Sequence, residues 1–236
     1  MADLFAPLDD QPAYRRIANM IERRIVGRSL RTGDPLPSET DLARQFGVNR
    51  STIREAIREL EIHGLLGRGR GEKRLRVTRP APRDISSGVS RALALHDVTF
   101  LELWEAMMAL EPAAAQYAAS RRSTGQLQAL LRAGAEFANS GADTAAAVAA
   151  VVDFFTAVAE ASGNQVLALS QAPLNVLLVP ALTRLIDDLP QARSRIALAQ
   201  VNITGAIKLK RGEQARIWME KHIRDFKRGH DLRERG

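Results

Sequence analysis

The chain has 236 residues, a net charge of +7 and no cysteine, which excludes disulfides, thiolate metal sites and cysteine nucleophiles. No run approaches eighteen or so uninterrupted apolar residues, and the N-terminus lacks a basic segment followed by an apolar one, so we expect neither a membrane span nor a secretory signal. We therefore expect a cytoplasmic protein with no membrane partner, long enough for one large domain or two modest ones.

The positive charge is concentrated in the first third of the chain. Residues 11–79 contain 16 lysines and arginines against 8 aspartates and glutamates, whereas the remainder is close to neutral. A basic segment on an otherwise near-neutral chain is typical of a protein that binds a polyanion such as DNA. A membrane surface is the competing partner, but no helix pairs a cationic face with aromatic anchors.

The N-terminal segment begins with an expected disordered lead-in at 1–10. Apolar residues at helical spacing then predict a first helix over 12–28, which should pack behind the elements that follow. A turn containing Gly33 and Pro35 separates this helix from the next one.

The next stretch has the pattern of two short helices joined by a tight turn. Ser38 is a suitable N-cap for the first helix, and Gly47 supplies the left-handed residue that ends it. The second helix begins at Asn49 or Arg50 and continues to about Gly64 with an apolar stripe on one face. Two such helices form a helix-turn-helix, whose second helix can enter the major groove of DNA.

A basic hairpin is predicted after the second helix. A strand begins at Leu65, residues 68–74 form a glycine-containing turn rich in cations, and residues 75–78 alternate apolar and polar like a returning strand. A hairpin with a basic tip beside a helix-turn-helix forms a winged helix. The alternative interpretation is a charged, solvated helical hairpin.

Residues 12–79 closely resemble the DNA-binding domain of GntR-type bacterial transcription regulators. The motif that carries the resemblance is PLPSExxLAxxFGVxRxTxREAxxxL, beginning at Pro35. The resemblance implies operator contacts from the start of the recognition helix and from the wing, which here are Asn49, Arg50, Ser51, Thr52, Arg54, Arg70 and Gly71. Thr40 departs from the family pattern, in which a basic residue follows the Ser-Glu pair.

The second half of the chain is predicted to be an antiparallel bundle of about six or seven helices. A linker over 80–90 contains Pro80 and Pro82 and is followed by alanine- and leucine-rich sequence with helical periodicity. The helices are expected at 87–95, 97–120, 124–139, 143–162, 164–187, 191–211 and 213–229. The fold class is therefore mainly α, with a winged helix at 11–79, a helical domain at 91–230 and a tail at 231–236.

Two prolines and one acid within the bundle are singled out. Pro112 and Pro173 are each expected to kink a helix or to mark a break inside one. Glu111, directly before Pro112, is expected near a helix end, with a buried acid as the alternative.

Residues 85–228 resemble the FCD-type effector domain of the FadR branch of GntR regulators. The resemblance is carried by the segments 101–112, 154–164 and 205–207, and by a methionine and a histidine at 219 and 222. Most members of that branch hold a metal with one aspartate and three histidines, and an arginine on the first effector helix pairs with a ligand. In this chain the four ligand positions read Val151, Phe155, Gln200 and His222, and the arginine position reads Met107.

These departures shape the expected effector site. One imidazole and one amide cannot hold a divalent ion tightly, so we expect no metal and no cofactor. The residues expected to line an effector cavity are Trp104, Met107, Val151, Phe155, Asn175, Gln200, Thr204 and His222. They suit a largely apolar molecule with one or two hydrogen-bonding groups, and the alternative is that the site has filled in as ordinary core.

The predicted function is a ligand-responsive transcription regulator, most simply a repressor. Two-fold symmetry of a homodimer would match a palindromic double-stranded operator. No catalytic motif is visible, since the chain lacks a phosphate-binding glycine loop, a nucleophile elbow and clustered acids with metal spacing. The alternative is a DNA-binding architectural protein whose helical domain only dimerises.

Overall fold

The computed structural model describes residues 12–69, 71, 74–80, 89, 92–93 and 95–234, except for the side chains at 233 and 234. The chain divides into two compact units, Met1–Ile85 and Ser86–Gly236. The predicted lead-in at 1–10, most of the linker at 80–90 and most of the helix predicted at 87–95 lie outside the described residues.

The described part of the first unit contains three helices followed by a two-stranded antiparallel sheet. The elements are α1 (Ala13–Val26), α2 (Glu39–Phe46), α3 (Arg50–Ile62), β1 (Leu66–Arg68) and β2 (Leu75–Val77). Helix α1 packs on α3, which also contacts α2 and β1. This arrangement confirms the predicted winged helix-turn-helix.

The turn between α2 and α3 forms as the sequence predicts. The Ser38 hydroxyl accepts a hydrogen bond from the backbone N–H of Asp41 at 3.1 Å, which satisfies one free donor in the first turn of α2. Gly47 ends α2 in the left-handed conformation at φ 66°, which glycine adopts without the steric cost of a Cβ atom. Asn49 then occupies the N-cap position of α3 in an extended conformation.

A small apolar core holds the first unit together. Ile53, Leu60 and Val77 are at most 1% exposed and join residues of α1 and α2 in one cluster. Burial of a large aliphatic side chain contributes about 1.5–3 kcal/mol, so this core fixes the position of α3. The hairpin is tied to the end of α3 because the Thr78 hydroxyl donates to the Gly64 carbonyl at 2.7 Å.

The described part of the second unit is helical, as predicted. Its helices are α4 (Phe100–Arg121), α5 (Thr124–Asn139), α6 (Thr144–Ala161), α7 (Gln165–Asp188), α8 (Ala192–Lys208) and α9 (Gly212–Glu234). Helix α4 begins with a reciprocal capping box between Thr99 and Glu102, and α5 with one between Ser123 and Gln126.

The two prolines singled out from the sequence do not break their helices. Pro112 lies in the middle of α4, and Pro173 lies within α7 together with Pro180. Glu111 is therefore not near a helix end, and that expectation is wrong. Its side chain is 0% exposed, which makes it a buried acid.

The core of the second unit surrounds α6 and α9. Phe154, Phe155, Ile207 and Met219 are 0% exposed, and α9 packs chiefly along α4 and α8. The tail predicted at 231–236 is instead helical through Glu234. The last turns of α9 contact the start of α4, since the rings of Phe100 and His230 stack with their centroids 3.9 Å apart.

Two helices of this unit are long and apolar enough to cross a membrane by length and composition alone. An 18-residue window in each of α6 and α7 has a mean hydropathy of 1.6. The buried share is 56% of the window in α6 and 28% of the window in α7. Polar residues interrupt the apolar run in both helices, so neither contains an uninterrupted apolar stretch of that length. The core helix of a globular protein passes the same test, so this property is weak evidence for a membrane span.

Candidate functional site

The N-terminal end of α3 presents polar side chains to solvent. Asn49, Arg50, Ser51 and Arg54 are exposed and Thr52 is half-buried, while the opposite face of the helix is buried in the core. The Asn49 side chain makes no capping hydrogen bond. This end of the helix therefore combines free backbone donors, a favourable dipole and two guanidinium groups, a combination that binds phosphates and base edges.

A carboxylate that was not predicted from the sequence, Glu39, lies between the two arginines. The Arg54 Nε atom donates to Glu39 Oε2 at 2.9 Å, and a guanidinium nitrogen of Arg50 lies 3.8 Å from the same oxygen. Both arginine side chains are more than half exposed, so the pairs contribute little to stability. The spacing of four residues already places Arg50 and Arg54 on the same side of α3, and Glu39 lies beside both of them.

A cleft of about 810 Å³ lies between α2, the start of α3 and the hairpin. Its lining includes the cations Arg50, Arg54, Arg68 and Arg74. Arg68 is itself paired with a glutamate of α3 at 2.8 Å. The cleft thus brings two of the predicted DNA-contacting residues beside two further arginines, which belong to the predicted basic hairpin.

The wing is described only in part. Gly71 has a φ of 83° and a Cβ atom added there would meet nothing within 4 Å, so the position favours glycine for its conformation and leaves the backbone open to a close approach. Arg70, the other predicted contact in the wing, lies outside the described residues.

The residues predicted to line an effector cavity lie mostly in the core. Met107, Val151, Phe155, Asn175, Gln200, Thr204 and His222 are all at most 7% exposed. Trp104 is half-buried, and its indole N–H donates to the Ile223 carbonyl at 3.2 Å. The ring centroids of Phe155 and His222 are 5.8 Å apart. Such close packing supports the alternative in which much of the cavity has filled in.

Asn175 belongs to a buried polar row rather than to an open site. Its side-chain amide donates to the Thr156 hydroxyl at 3.0 Å and its oxygen accepts from Gln171 at 2.9 Å. Glu111 adjoins this row, and burial raises the pKa of its carboxyl to about 8. The nearby Gln171 side chain lowers this pKa and so offsets part of the effect of burial. Neither carboxyl oxygen of Glu111 has a hydrogen-bond partner of ordinary geometry among the described residues.

Gln200 and His222 have polar atoms without partners among the described residues. Both amide atoms of Gln200 and the Nε2 atom of His222 are buried and lack a hydrogen bond. Burial lowers the pKa of His222 to about 4, so its ring is neutral at pH 7. Buried polar atoms in native proteins are nearly always paired, which makes these two side chains the best indication of a ligand-binding position in the bundle.

The metal ligands implied by the resemblance do not fit the residues present. Val151 and Phe155 offer no donor atom, and both are 0% exposed. Gln200 and His222 alone supply too few ligands for a stable divalent site. In the described part of the chain no group of three or more acidic or histidine side chains could hold a metal ion. The absence of a cofactor remains a prediction.

Two cavities reach His222 from the side of α8 and α9. A small one of about 30 Å³ has apolar walls that include Leu185, Ile196 and Phe226. A groove of about 520 Å³ contains Trp218 and several cations. Of the eight predicted effector residues, His222 alone lines these cavities, and it lines both of them. The cationic residues of this groove were not predicted from the sequence. The sequence signal that could have indicated them is the helical spacing of the basic residues that follow Trp218.

Two family descriptions match the chain, one for each unit. "Bacterial regulatory proteins, gntR family" matches residues 13–73, and "FCD domain" matches residues 102–225. The second match alone covers more than half of the chain.

Curated relatives agree with these matches. The HTH-type transcriptional repressor NanR of Cronobacter sakazakii is 31% identical over 163 residues, 68% of this chain and 62% of that protein. The alignment thus spans less than two thirds of that relative. The NanR repressor of Escherichia coli K12 is 26% identical over 221 residues, which cover 92% of this chain and 84% of that protein.

The fold is also similar to that of a solved structure described as Streptococcus agalactiae GntR. The TM-score is 0.64 at 24% identity, with 91% of this chain and 99% of that chain covered. The resemblance found in the sequence is confirmed, and catalysis is not the function of this family. The chain belongs to the GntR family of bacterial transcription regulators and carries an FCD domain after its DNA-binding domain.

Proposed function

We propose that the protein is a ligand-responsive repressor that binds a palindromic operator as a homodimer. The observation that carries this proposal is the exposed N-terminal end of α3, where Arg50 and Arg54 stand beside free backbone donors. Repression is inferred because the relatives from Cronobacter and Escherichia are both named transcriptional repressors. A protein that acts on chromosomal DNA in bacteria works in the cytoplasm.

The contacts with DNA follow from the chemistry of each side chain. Arg50 and Arg54 can donate to guanine edges or to phosphates, because a guanidinium group carries paired donors in a fixed geometry. Ser51 and Thr52 are placed to donate to phosphate oxygens near the helix start. Gly71 allows the wing backbone to approach the DNA closely.

A homodimer is supported by the surface of the helical unit. Helix α7 is apolar along most of its length, yet little of it is buried within one chain. Val166 and Val176 on this helix are 72% and 50% exposed. Two copies of the chain that cover such faces would also supply the two-fold symmetry that a palindromic operator requires.

The effector is proposed to be a largely apolar small molecule that binds near Gln200 and His222. The unpartnered polar atoms of these two buried side chains support this position. An effector changes operator affinity only if it stabilises one arrangement of the DNA-binding units over another. The helix α4 and the segment before it are the candidate route for that change.

A second function is favoured by the packing of the core. Met107, Val151 and Phe155 fill the space that an enclosed effector would need, which suits an architectural DNA-binding protein whose helical unit only dimerises. A metabolite that raises the thermal stability of the protein would support the regulator, whereas a screen without any such compound would favour the architectural role.

The test is selection of bound duplexes from a random-sequence DNA pool. The wild-type protein should enrich an inverted repeat, and Arg50→Ala should lose that preference while its circular dichroism spectrum stays unchanged. Arg132→Ala serves as the matched control, because Arg132 is an exposed arginine on α5 in the other unit. Failure of the wild type to enrich any sequence would contradict the proposal.

A further inference from the structure

We propose that the cleft between α2, the start of α3 and the hairpin holds one phosphate of the DNA backbone, with Arg74 as its anchor. This inference rests on the proposed function, since it adds a DNA contact to those at the start of α3. Arg74 stands at the base of the hairpin, directly before β2, rather than on the recognition helix. Its expected part is affinity for any duplex, whereas the arginines of α3 supply the preference for one sequence.

Backbone hydrogen bonds fix the base of the hairpin against the segment before α2. The two strands pair with Arg68 opposite Leu75, and the Leu36 N–H donates to the Leu75 carbonyl at 2.9 Å. Leu36 and Leu75 are 2% and 7% exposed, so both sides of this junction are anchored in the core. The neighbouring Arg74 is therefore held at the edge of the cleft, where its side chain is exposed.

The ion pairs of the cleft leave Arg74 available for a ligand. Arg50 and Arg54 share one glutamate of α2, and Arg68 pairs with a glutamate of α3 at 2.8 Å. Arg74 pairs with no carboxylate among the described residues. A guanidinium group that faces a cleft without a counterion attracts an anion, and its paired donors match two oxygens of a phosphate.

The surroundings of Arg74 favour a backbone phosphate over other anions. The cleft of about 810 Å³ also contains Arg50 and Arg54, so a duplex that is read by these two arginines would carry its backbone beside the cleft. Thr40 lines the cleft from α2 and is exposed, and its hydroxyl can donate to a phosphate oxygen. The acids Glu39 and Asp41 in the same lining would repel a second anion, so we expect one phosphate per chain.

The test measures DNA affinity of the full-length protein by fluorescence anisotropy. Two labelled duplexes are used, the one enriched in the selection and a scrambled duplex of the same length and composition. Arg74→Ala should weaken binding to both by the same factor, about tenfold or more, as expected for the loss of a charge-assisted hydrogen bond. The slope of log affinity against log salt should fall by about two for a dimer, because each chain loses one phosphate contact.

Two further variants separate this contact from a general effect of charge. Arg23→Ala removes the same charge from an exposed position on α1 that does not line the cleft, and it should keep the wild-type affinity and salt slope. Thr40→Arg combined with Arg74→Ala returns a guanidinium group to the cleft from α2, and it should restore most of the lost affinity for both duplexes. The circular dichroism spectrum of Arg74→Ala should match that of wild type, since the Arg74 side chain is exposed.

Four results would overturn the inference. Wild-type affinity and salt slope in Arg74→Ala would exclude the contact, and a lack of restoration by Thr40→Arg would place it outside the cleft. A loss of affinity confined to the enriched duplex would make Arg74 a reader of bases. Saturable calorimetric binding of inorganic phosphate without DNA, lost in Arg74→Ala, would make the cleft a site for a free ion. Failure of the regulator proposal shows separately, as a wild-type protein that enriches no sequence, and the scrambled duplex still tests Arg74 in that case.

Discussion

Replacement of the buried acid Glu111 by glutamine tests the electrostatics of the bundle core. The side chain is 0% exposed, and burial raises the pKa of its carboxyl from 4.5 to about 8. A folded-state pKa above the unfolded value means that the folded protein retains a proton that the unfolded chain releases. Stability should therefore fall as the pH rises from about 4.5 to about 8.

The magnitude follows from the two pKa values. Each pH unit between them changes the free energy of unfolding by about 1.4 kcal/mol, so at pH 7 the acid costs up to about 3 kcal/mol. The Glu111→Gln variant keeps the shape and carries no proton to lose. It should be more stable than wild type at pH 7 by about 1–3 kcal/mol, the lower figure allowing for a buried amide that needs partners of its own.

The assay is urea unfolding of wild type and variant at pH 5, 6, 7 and 8. We expect the gain in stability to grow with pH and to vanish near pH 5. Glu105→Gln is the matched control, since Glu105 is exposed on the same helix, and it should show no such growth. A stability difference between wild type and Glu111→Gln that is constant from pH 5 to pH 8 would refute the reasoning.

Three further predictions concern other parts of the chain. Gly47→Ala should lower the free energy of unfolding by about 1–2 kcal/mol, because alanine is strained at the left-handed φ of 66°; urea unfolding of the variant checks this. Operator affinity should fall steeply with salt, about a thousandfold or more between 50 and 200 mM for a dimer that contacts six or more phosphates, and a flat response in fluorescence anisotropy would contradict the interface. Burial lowers the pKa of His222 from 6.5 to about 4, so the free energy of unfolding of the wild type should decrease as the pH falls from 6.5 to about 4. This decrease should be smaller in His222→Leu, and identical plots of unfolding free energy against pH for the two proteins would argue against a buried neutral ring.

The first unit could be predicted closely from the sequence because its signals are local. A serine cap, a left-handed glycine and an apolar stripe lie within a few residues of the elements they fix. Helices α2 and α3 accordingly begin and end within about two residues of the prediction, at Glu39–Phe46 and Arg50–Ile62. The helices of the second unit were predicted less closely at some ends: α8 ends at Lys208 rather than at 211, and α9 continues to Glu234 rather than ending at 229.

The features missed in the sequence depend on contacts between distant residues. Glu39 meets Arg54 across fifteen positions, and nothing in the α2 pattern alone indicates that pairing. Arg195 and Asp225 come from different helices, so the groove exists only once α8 packs on α9. The burial of Glu111 was obscured by the proline that follows it, because proline usually marks a helix end and here lies inside a continuous helix.

The central claim is most directly tested by native mass spectrometry of the protein with the duplex recovered from selection. A homodimeric regulator on a palindromic operator predicts a complex of two chains and one duplex, absent for Arg50→Ala and retained for Arg132→Ala. One chain per duplex, or a complex that survives Arg50→Ala unchanged, would contradict the account.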